Sequence, residues 1–332
     1  MNSRIRDDPT REEWEGALES LGEGDYRQTW EYAEASIESR KANGVLRLTA
    51  SGHGEALAIM QGLIRGSRIG CELLSGGSSG GGPIISEQAS GGLAREIIRS
   101  LVGHGRRQMC ERIRLHIFDD KGLGPVLEEL GFRRVRPADI FFVDLNRDPE
   151  AIWVDFEGAK RRNVRKAEKL GVRVEISQEP EDADQFYRMY LSFAEKRQFE
   201  PMPHREVETL WRWLKPVDRI RVFTAKKGDE AVASALVINH LDALFCPYTC
   251  SNEAGRETRA NDILHWRIIR WGAERKMYRY NMGEVYTDPE SEQHGVYRWK
   301  RGFSGYTAKM SIYEKVINRW FHGFKRVAKR VL

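Results

Sequence analysis

The sequence repeats one order of structural elements, and this repetition limits the folds that the chain can adopt. In the second half, alternating apolar residues predict three consecutive strands at 219–225, 231–239 and 243–249. A polar loop follows, and a helix then begins at Asn261, a residue type that caps helix N-termini. Residues 278–282 predict one more strand. The pattern is therefore a three-strand meander, a loop, a helix and a strand.

The first half has the same order of elements. Strand patterns occur at 45–50, 56–63 and 68–74, a helix pattern covers 91–107, and another strand pattern covers 112–118. The two series start about 175 positions apart, which indicates an internal duplication. A length of 332 residues also suits two domains of ordinary size. We therefore expect two α/β units of similar topology.

The composition limits the cellular setting and the cofactors. The net charge of +5 favours an anionic partner such as RNA, a nucleotide-linked substrate or a membrane surface, without requiring one. The sequence has no apolar run of membrane-spanning length, and its charged N-terminus is unlike a signal peptide, so we expect a cytoplasmic protein. The four cysteines are scattered and predict small buried side chains rather than a metal site.

A meander followed by a loop, a helix and a strand resembles the core of GNAT acyltransferases. In those proteins the loop before the central helix carries a Gln/Arg-x-x-Gly-x-Gly/Ala element, whose N–H groups hold the pyrophosphate of coenzyme A. The corresponding loops here, 251–261 and 75–92, lack this element. The glycine-rich loop 75–92 is interpreted as a flexible connection, and acyl-CoA is not the favoured donor.

Two further motifs are more specific. Residues 160–171 read KRRNVRKAEKLG at the join of the two halves, and residues 295–305 read GVYRWKRGFSG after the YNMG of 280–283. In this order they resemble the FemABX family, GNAT-like transferases that attach amino acids to peptidoglycan precursors. The resemblance covers nearly the whole chain and indicates a compact member without the coiled-coil arm. Trp299 and Ser304 stand where relatives have phenylalanine and glycine.

The resemblance implies an α/β (α+β) fold of two tandem GNAT-like acyltransferase domains. Each domain would be a mixed, mainly antiparallel sheet flanked by helices, at 1–150 and 151–310, with the donor site in the second and the substrate site in the first and in the cleft between them. The motif around Lys300 is interpreted as a strand. Residues 311–332 predict a C-terminal amphipathic basic helix, which either packs its apolar stripe on the domain or contacts an anionic membrane.

The activity that the resemblance implies is transfer of an aminoacyl group from aminoacyl-tRNA to an amine of a nucleotide- or lipid-linked cell-wall precursor. Such a reaction needs no cofactor and no metal, because positioning and stabilisation of charge in the transition state suffice. Peripheral contact with the inner face of the membrane is compatible with a lipid-linked substrate. We expect a monomer.

The resemblance assigns the catalytic role to Lys300, which would stabilise the developing oxyanion. Residues expected to contact substrate are Trp299, Tyr297, Arg162, Asn163, Lys166 and Tyr248. Without the resemblance, Lys300 would be interpreted as a solvated lysine and the basic stretch as a solvated helix face. Tyr248 is equally compatible with a core position, Asn163 with a structural role, and His265 with packing or capping rather than catalysis.

Two other functions stay open at this stage. One is an N-acyltransferase that uses acyl-CoA or another acyl donor to modify an envelope glycan or lipid amine. The other is a non-catalytic binding module derived from the same fold. The three hypotheses differ in the donor that is turned over and in the effect of replacing Lys300.

Overall fold

The computed structural model of the protein describes residues 4–52, 54–67, 70–77, 80–89, 91–118 and 122–318. The chain forms two compact units. The first contains the described residues up to Ala138 together with those from Lys309 onward, and the second spans Asp139–Ala308. The second unit therefore differs in its bounds from the domain expected at 151–310. Among the residues described, none of the helices is long and apolar enough to cross a membrane.

The first unit is built on a mixed sheet with helices. Its elements are β1 Arg4–Asp7, α1 Arg11–Leu21, α2 Trp30–Glu38, β2 Gly44–Gly52, β3 Glu55–Arg65, β4 Glu72–Ser75, β5 Ile84–Ile85, α3 Gly91–Arg107, β6 Arg112–Phe118 and α4 Gly124–Glu129. Strands β1 to β4 pair antiparallel, whereas β4 and β6 run parallel. The core lies between the sheet and α3, whose Ile97, Ile98 and Leu101 are fully buried.

The glycine-rich loop after β4 is closely packed in its described part, unlike the expected flexible connection. Arg27 is buried in an ion pair with Asp25 at 2.8 Å, and a Cβ added to Gly77 would lie 2.8 Å from Nε of Arg27. A Cβ added to Gly82 would lie 1.9 Å from the backbone oxygen of His116. These close approaches require glycine, because any side chain would displace the neighbouring backbone or the buried ion pair.

The second unit is also a mixed sheet with helices. Its elements are β7 Arg133–Asp144, α5 Pro149–Asp155, α6 Gly158–Lys169, β8 Val172–Ser177, α7 Pro180–Arg197, α8 His204–Leu214, β9 Ile220–Lys227, β10 Glu230–His240, β11 Ala243–Ser251, α9 Glu253–Glu257, α10 Ala260–Glu274, β12 Arg279–Val285, α11 His294–Arg301 and β13 Tyr306–Val316. Strands β7 and β13 each begin in one unit and end in the other. Within the second unit the strand order is β7-β12-β11-β10-β9-β8, and only β11 and β12 pair in parallel.

The central helix α10 organises the core of the second unit. Leu264, Ile268 and Ile269 are fully buried and pack in one cluster with Phe223 of β9 and Tyr280 of β12. The predicted meander, helix and strand are therefore all present. Asn261 is not the helix cap, since α10 already begins at Ala260, and its amide instead donates to Oγ of Ser251 at 3.1 Å.

Two elements differ from their sequence interpretation. The motif around Lys300 forms helix α11 rather than a strand, because Tyr297, Lys300 and Phe303 face the interior at a spacing of three residues. Residues 311–316, expected in a terminal helix, lie in strand β13, which pairs antiparallel with β6 from Met310 to Val316. The rest of that predicted helix, from 319 onward, lies outside the described residues.

Candidate active site

The candidate site lies where the parallel strands β11 and β12 separate. Their pairing covers only Ala243–Phe245 and Arg279–Asn281. Beyond these residues each strand carries a bulge, between Phe245 and Tyr248 in β11 and between Asn281 and Gly283 in β12. Bulges are frequent beside active sites because they redirect side chains and end regular pairing. Regular pairing between β11 and β12 therefore ends beside these two bulges.

Lys300 of α11 reaches the bulge of β12. Its Nζ donates to the carbonyl oxygen of Met282 at 2.7 Å and to that of Glu284 at 3.1 Å. Gly283 lies between them with φ of +86°, a left-handed conformation that glycine adopts without strain. Only 8% of Lys300 is exposed, and burial lowers the pKa of its ammonium group to about 8.

The two carbonyls leave part of the hydrogen-bonding capacity of Lys300 unused. A protonated lysine has three N–H donors, and two are engaged by Met282 and Glu284. Within the part of the chain that the structure describes, the third donor has no protein acceptor. A nearly buried ammonium with one free donor can stabilise an oxyanion that forms beside it.

A buried carboxylate joins α11 to two other helices. Oδ1 of Asp262, in the first turn of α10, accepts from Nζ of Lys160 on α6 at 2.6 Å and from Nε1 of Trp299 on α11 at 2.8 Å. Lys160 also lies 4.1 Å from the ring centroid of Phe303, and a Cβ at Gly302 would come within 2.8 Å of its Cε. Burial lowers the pKa of Lys160, and the charge of Asp262 opposes that shift.

This cluster fixes the position of Lys300. Trp299 precedes Lys300 in α11, so the hydrogen bond from its indole to Asp262 holds the helix against α10. A phenylalanine, expected at this position from the resemblance to the FemABX motif, has no N–H group and could not make this bond. The departure from the family motif therefore has a structural reason in this chain.

A second polar chain lies beneath Trp299 in the same core. The hydroxyl of Tyr280 is 2.8 Å from Nδ1 of His265, whose ring meets that of Trp299 edge to face at 5.0 Å. Burial lowers the pKa of His265 to about 3, so its imidazole is neutral at physiological pH. Sγ of Cys246, in the bulge of β11, is 3.0 Å from Oγ1 of Thr249, and burial raises the pKa of this thiol.

The predicted site residues fall into different places. Lys300 and Trp299 lie together on α11 beside α10, and the ring of Tyr297 in the same helix is 6.5 Å from that of Phe141. Tyr248 lies against α7 and α8 instead: its ring is 5.7 Å from that of Tyr190 and its hydroxyl 3.5 Å from Oε1 of Glu206.

The predicted residues of the basic stretch occupy α6. Arg162 and Lys166 are exposed, and Asn163 is half-buried. Their contact with substrate stays a prediction. The residue of this stretch that does reach the site cluster is Lys160, because Val164 and Ala167 share its buried face of α6.

Sequence reasoning missed several members of the cluster. The basic stretch that includes Lys160 was interpreted as a solvated helix face, and nothing in the sequence singled out Asp262. The buried neighbours of Lys160 in α6, four and seven residues later, were the available signal. The partners of Asp262 could not be found in this way, because Lys160 lies 102 positions before it in the chain.

Ser304 stands where the motif resembling FemABX has a glycine, and the effect of this difference can be tested directly. Its φ of +57° is left-handed, a conformation that costs a non-glycine residue about 1 kcal/mol or more. We expect Ser304→Gly to raise the free energy of unfolding by about 0.5–1 kcal/mol, after allowance for the extra freedom of glycine in the unfolded chain. Urea unfolding would measure it. Ser304→Ala is the matched control and should give no gain; an equal gain would show that backbone strain is not the cause.

Comparison with known proteins supports the same architecture. Residues 157–301 match the acetyltransferase (GNAT) domain family, and this range contains the cluster from Lys160 to Lys300. The chain is similar to the crystal structure of FemX, with 15% identity, a TM-score of 0.77, and coverage of 98% of this chain and 99% of that one. No curated protein matches the sequence.

Two further solved structures share the fold. One is the C-terminal domain of a putative lysylphosphatidylglycerol synthetase from Agrobacterium fabrum, with 12% identity, a TM-score of 0.59 and coverage of 92% of both chains. The other is a tandem GNAT protein from the clavulanic acid biosynthesis pathway, with 9% identity, a TM-score of 0.58, and coverage of 95% of this chain and 99% of that one. The predicted architecture of two tandem GNAT-like units is confirmed: the chain has the fold of FemX, and its second unit contains the acetyltransferase (GNAT) domain match.

Proposed function

We propose that the protein transfers an aminoacyl group from aminoacyl-tRNA to an amine of a nucleotide- or lipid-linked cell-wall precursor. The observation that carries this proposal is the buried ammonium of Lys300, held by the carbonyls of Met282 and Glu284 with one N–H free where β11 and β12 separate. That arrangement suits a reaction whose only demand beyond positioning is stabilisation of a transient oxyanion.

The chemistry can be followed bond by bond. The neutral amine of the acceptor attacks the ester carbonyl carbon, a C–N bond forms, and the carbonyl oxygen gains negative charge. Lys300 donates its free N–H to that oxygen. The intermediate then collapses, the C–O bond to the ribose breaks, and the proton lost by the amine ends on the departing ribose hydroxyl. An ester is already activated, so the step needs no covalent enzyme intermediate.

The loop before α10 favours an aminoacyl ester over acyl-CoA as the donor. In GNAT proteins that bind coenzyme A, free N–H groups of this loop hold the pyrophosphate. Here the loop contains helix α9. The N–H of Gly255 donates to Oδ1 of Asn252 at 2.8 Å. Gly255 is also closely packed, since a Cβ at this position would lie 2.1 Å from the backbone oxygen of Val232. The N–H group of this loop's one glycine is thus already satisfied within the protein.

The similar structures point in the same direction but leave the donor open. FemX and a putative lysylphosphatidylglycerol synthetase share the fold, and so does a tandem GNAT protein whose structure was solved without AcCoA. The exposed Arg162 and Lys166 of α6 are available for phosphates of a nucleotide or tRNA. Since charged tRNA is cytoplasmic, the proposal places the protein there, at the inner membrane face if its acceptor is lipid-linked.

The proposal is tested by offering both donor classes to the full chain. We expect radiolabelled amino acid to pass from a mixture of charged tRNAs to a UDP-linked or lipid-linked muropeptide, and expect no transfer from acetyl-CoA. Lys300→Met should abolish most of the transfer, whereas Lys227→Met, an exposed lysine at the end of β9, should leave it unchanged. Turnover with acetyl-CoA but with no charged tRNA would replace this proposal with the acyl-CoA alternative.

A further inference from the structure

Two cysteines of the first unit lie side by side in its core. Sγ of Cys71 is 2.7 Å from Sγ of Cys110, closer than two sulfur atoms approach in ordinary van der Waals contact. Both residues are almost fully buried, with exposures of 2% and 1%. The pair is remote in sequence from the candidate active site, all of whose residues belong to the second unit.

The backbone fixes this neighbourhood. The N–H of Glu111 donates to the carbonyl of Cys71 at 2.7 Å, and the N–H of Gly70 donates to the carbonyl of Met109 at 3.2 Å. These bonds extend the parallel pairing of β4 with β6, which begins at Glu72 and Arg112. The two thiols are therefore brought together by strand register and not by flexible side chains alone.

We propose that Cys71 and Cys110 form a redox modification site that closes to an intramolecular disulfide. The co-reactant is a small disulfide of the glutathione class. One thiolate attacks it, which forms a mixed disulfide and releases one thiol; the second thiolate then attacks the mixed disulfide, which forms the Cys71–Cys110 bond and releases a second thiol. Each protein thiol loses one proton, and the two electrons reduce the small disulfide to two thiols.

The other two cysteines provide the contrast. Sγ of Cys246 lies 3.0 Å from Oγ1 of Thr249, and that of Cys250 lies 3.7 Å from the carbonyl oxygen of Ser234. Oxidation should therefore be selective for the first pair. It should also be slow, because burial raises the pKa of Cys110 and the neighbouring Cys71 raises it further, so that little reactive thiolate is present.

The disulfide would join the start of β4 to the turn before β6 and close the chain between them into a loop. Such a link stabilises mainly by restricting the unfolded chain. We expect the oxidised protein to show a melting temperature about 5 °C or more above that of the reduced protein. A cytoplasmic protein with this pair would respond to oxidising conditions, since stable disulfides are rare in that compartment.

The test uses the folded full-length chain in mixtures of reduced and oxidised glutathione, followed by alkylation and peptide mass mapping. We expect one disulfide, between the peptides that contain Cys71 and Cys110, and two thiols still free. Cys110→Ser should form no intramolecular disulfide, whereas Cys250→Ser, a buried cysteine outside the pair, should still form it.

Three results would overturn the proposal: four free thiols in the most oxidising mixture, a disulfide between another pair, or loss of the bond in Cys250→Ser as complete as in Cys110→Ser. If Cys110→Ser does not fold, the peptide map of the wild-type chain still decides the outcome. No step of this test depends on the proposed transferase activity.

Discussion

Lys300→Met is expected to lower the rate constant of acyl transfer by about 10²–10³-fold, the usual effect of removing one oxyanion donor. The substitution keeps the length of the side chain but removes the ammonium that the carbonyls of Met282 and Glu284 hold in place. Single-turnover kinetics with charged tRNA and saturating acceptor would measure the change directly. A rate within threefold of the wild type would show that Lys300 does not stabilise the transition state.

The pH dependence gives a second readout of the same prediction. The pKa of Lys300 is lowered to about 8, so its charge is present below that pH and is lost above it. Transfer should therefore decline as the pH rises through about 8, although a more basic medium supplies more neutral amine. Lys300→Arg should lose this decline, because a guanidinium keeps its charge throughout the range. A wild-type profile that keeps rising to pH 10 would contradict the assignment.

Loss of activity in Lys300→Met should not reflect unfolding. Because the folded pKa lies below that of free lysine, the charged form destabilises the fold below pH 8, by about 3 kcal/mol for a shift of this size. That penalty fades as the pH rises from about 8 to 10.5. Methionine removes it but leaves the carbonyls of Met282 and Glu284 without a donor, which costs a comparable amount. We expect the two effects to offset each other nearly completely at pH 7.

Asp262→Ala is expected to lower the free energy of unfolding by about 3–5 kcal/mol, the usual cost of removing one partner of a buried ion pair. The substitution leaves the ammonium of Lys160 buried without its carboxylate and leaves the indole N–H of Trp299 without its acceptor. Chemical denaturation at pH 7 would measure the loss. The deficit should shrink at pH 10, because the unpaired Lys160 can then lose its proton and the cost of burying its charge disappears.

A double variant distinguishes the stability contribution of the Lys160–Asp262 ion pair from that of side-chain packing. Lys160→Met together with Asp262→Leu replaces both charges with apolar groups of similar size, so it should recover most of the stability that Asp262→Ala loses. Trp299→Phe keeps the ion pair and removes only the indole donor, so it should cost about 1 kcal/mol. If Asp262→Ala costs less than about 1 kcal/mol, the cluster does not hold α6, α10 and α11 together.

Most of the fold could be predicted because its signals are local. The strands β9, β10 and β11 alternate or run apolar between clear turns, and α10 shows helical spacing over fifteen residues. Helix α11 could not be predicted in this way. It has only eight residues, and its mixture of aromatic and basic side chains is equally compatible with a short amphipathic strand.

From the sequence, the candidate site could be predicted only at residues that belong to the motif resembling FemABX. Lys300 and Trp299 were identified through the resemblance, but the carbonyls that hold Lys300 belong to the backbone of a bulge, which side-chain patterns do not reveal. The link between Lys160 and Asp262 depends on how α6 packs on α10. Contacts of this kind follow from tertiary packing and have no signature in either segment alone.

The return of strand β13 to the first unit has a consequence for biosynthesis. The second unit is one uninterrupted segment, Asp139–Ala308, whereas the first needs residues from Lys309 onward to pair with β6. During synthesis the second unit can therefore close its core while the first still exposes an unpaired edge. Such an edge can recruit other strands and promote aggregation. A nascent chain released before Lys309 would keep the second unit intact, but the edge of β6 in its first unit would stay unpaired and prone to aggregation.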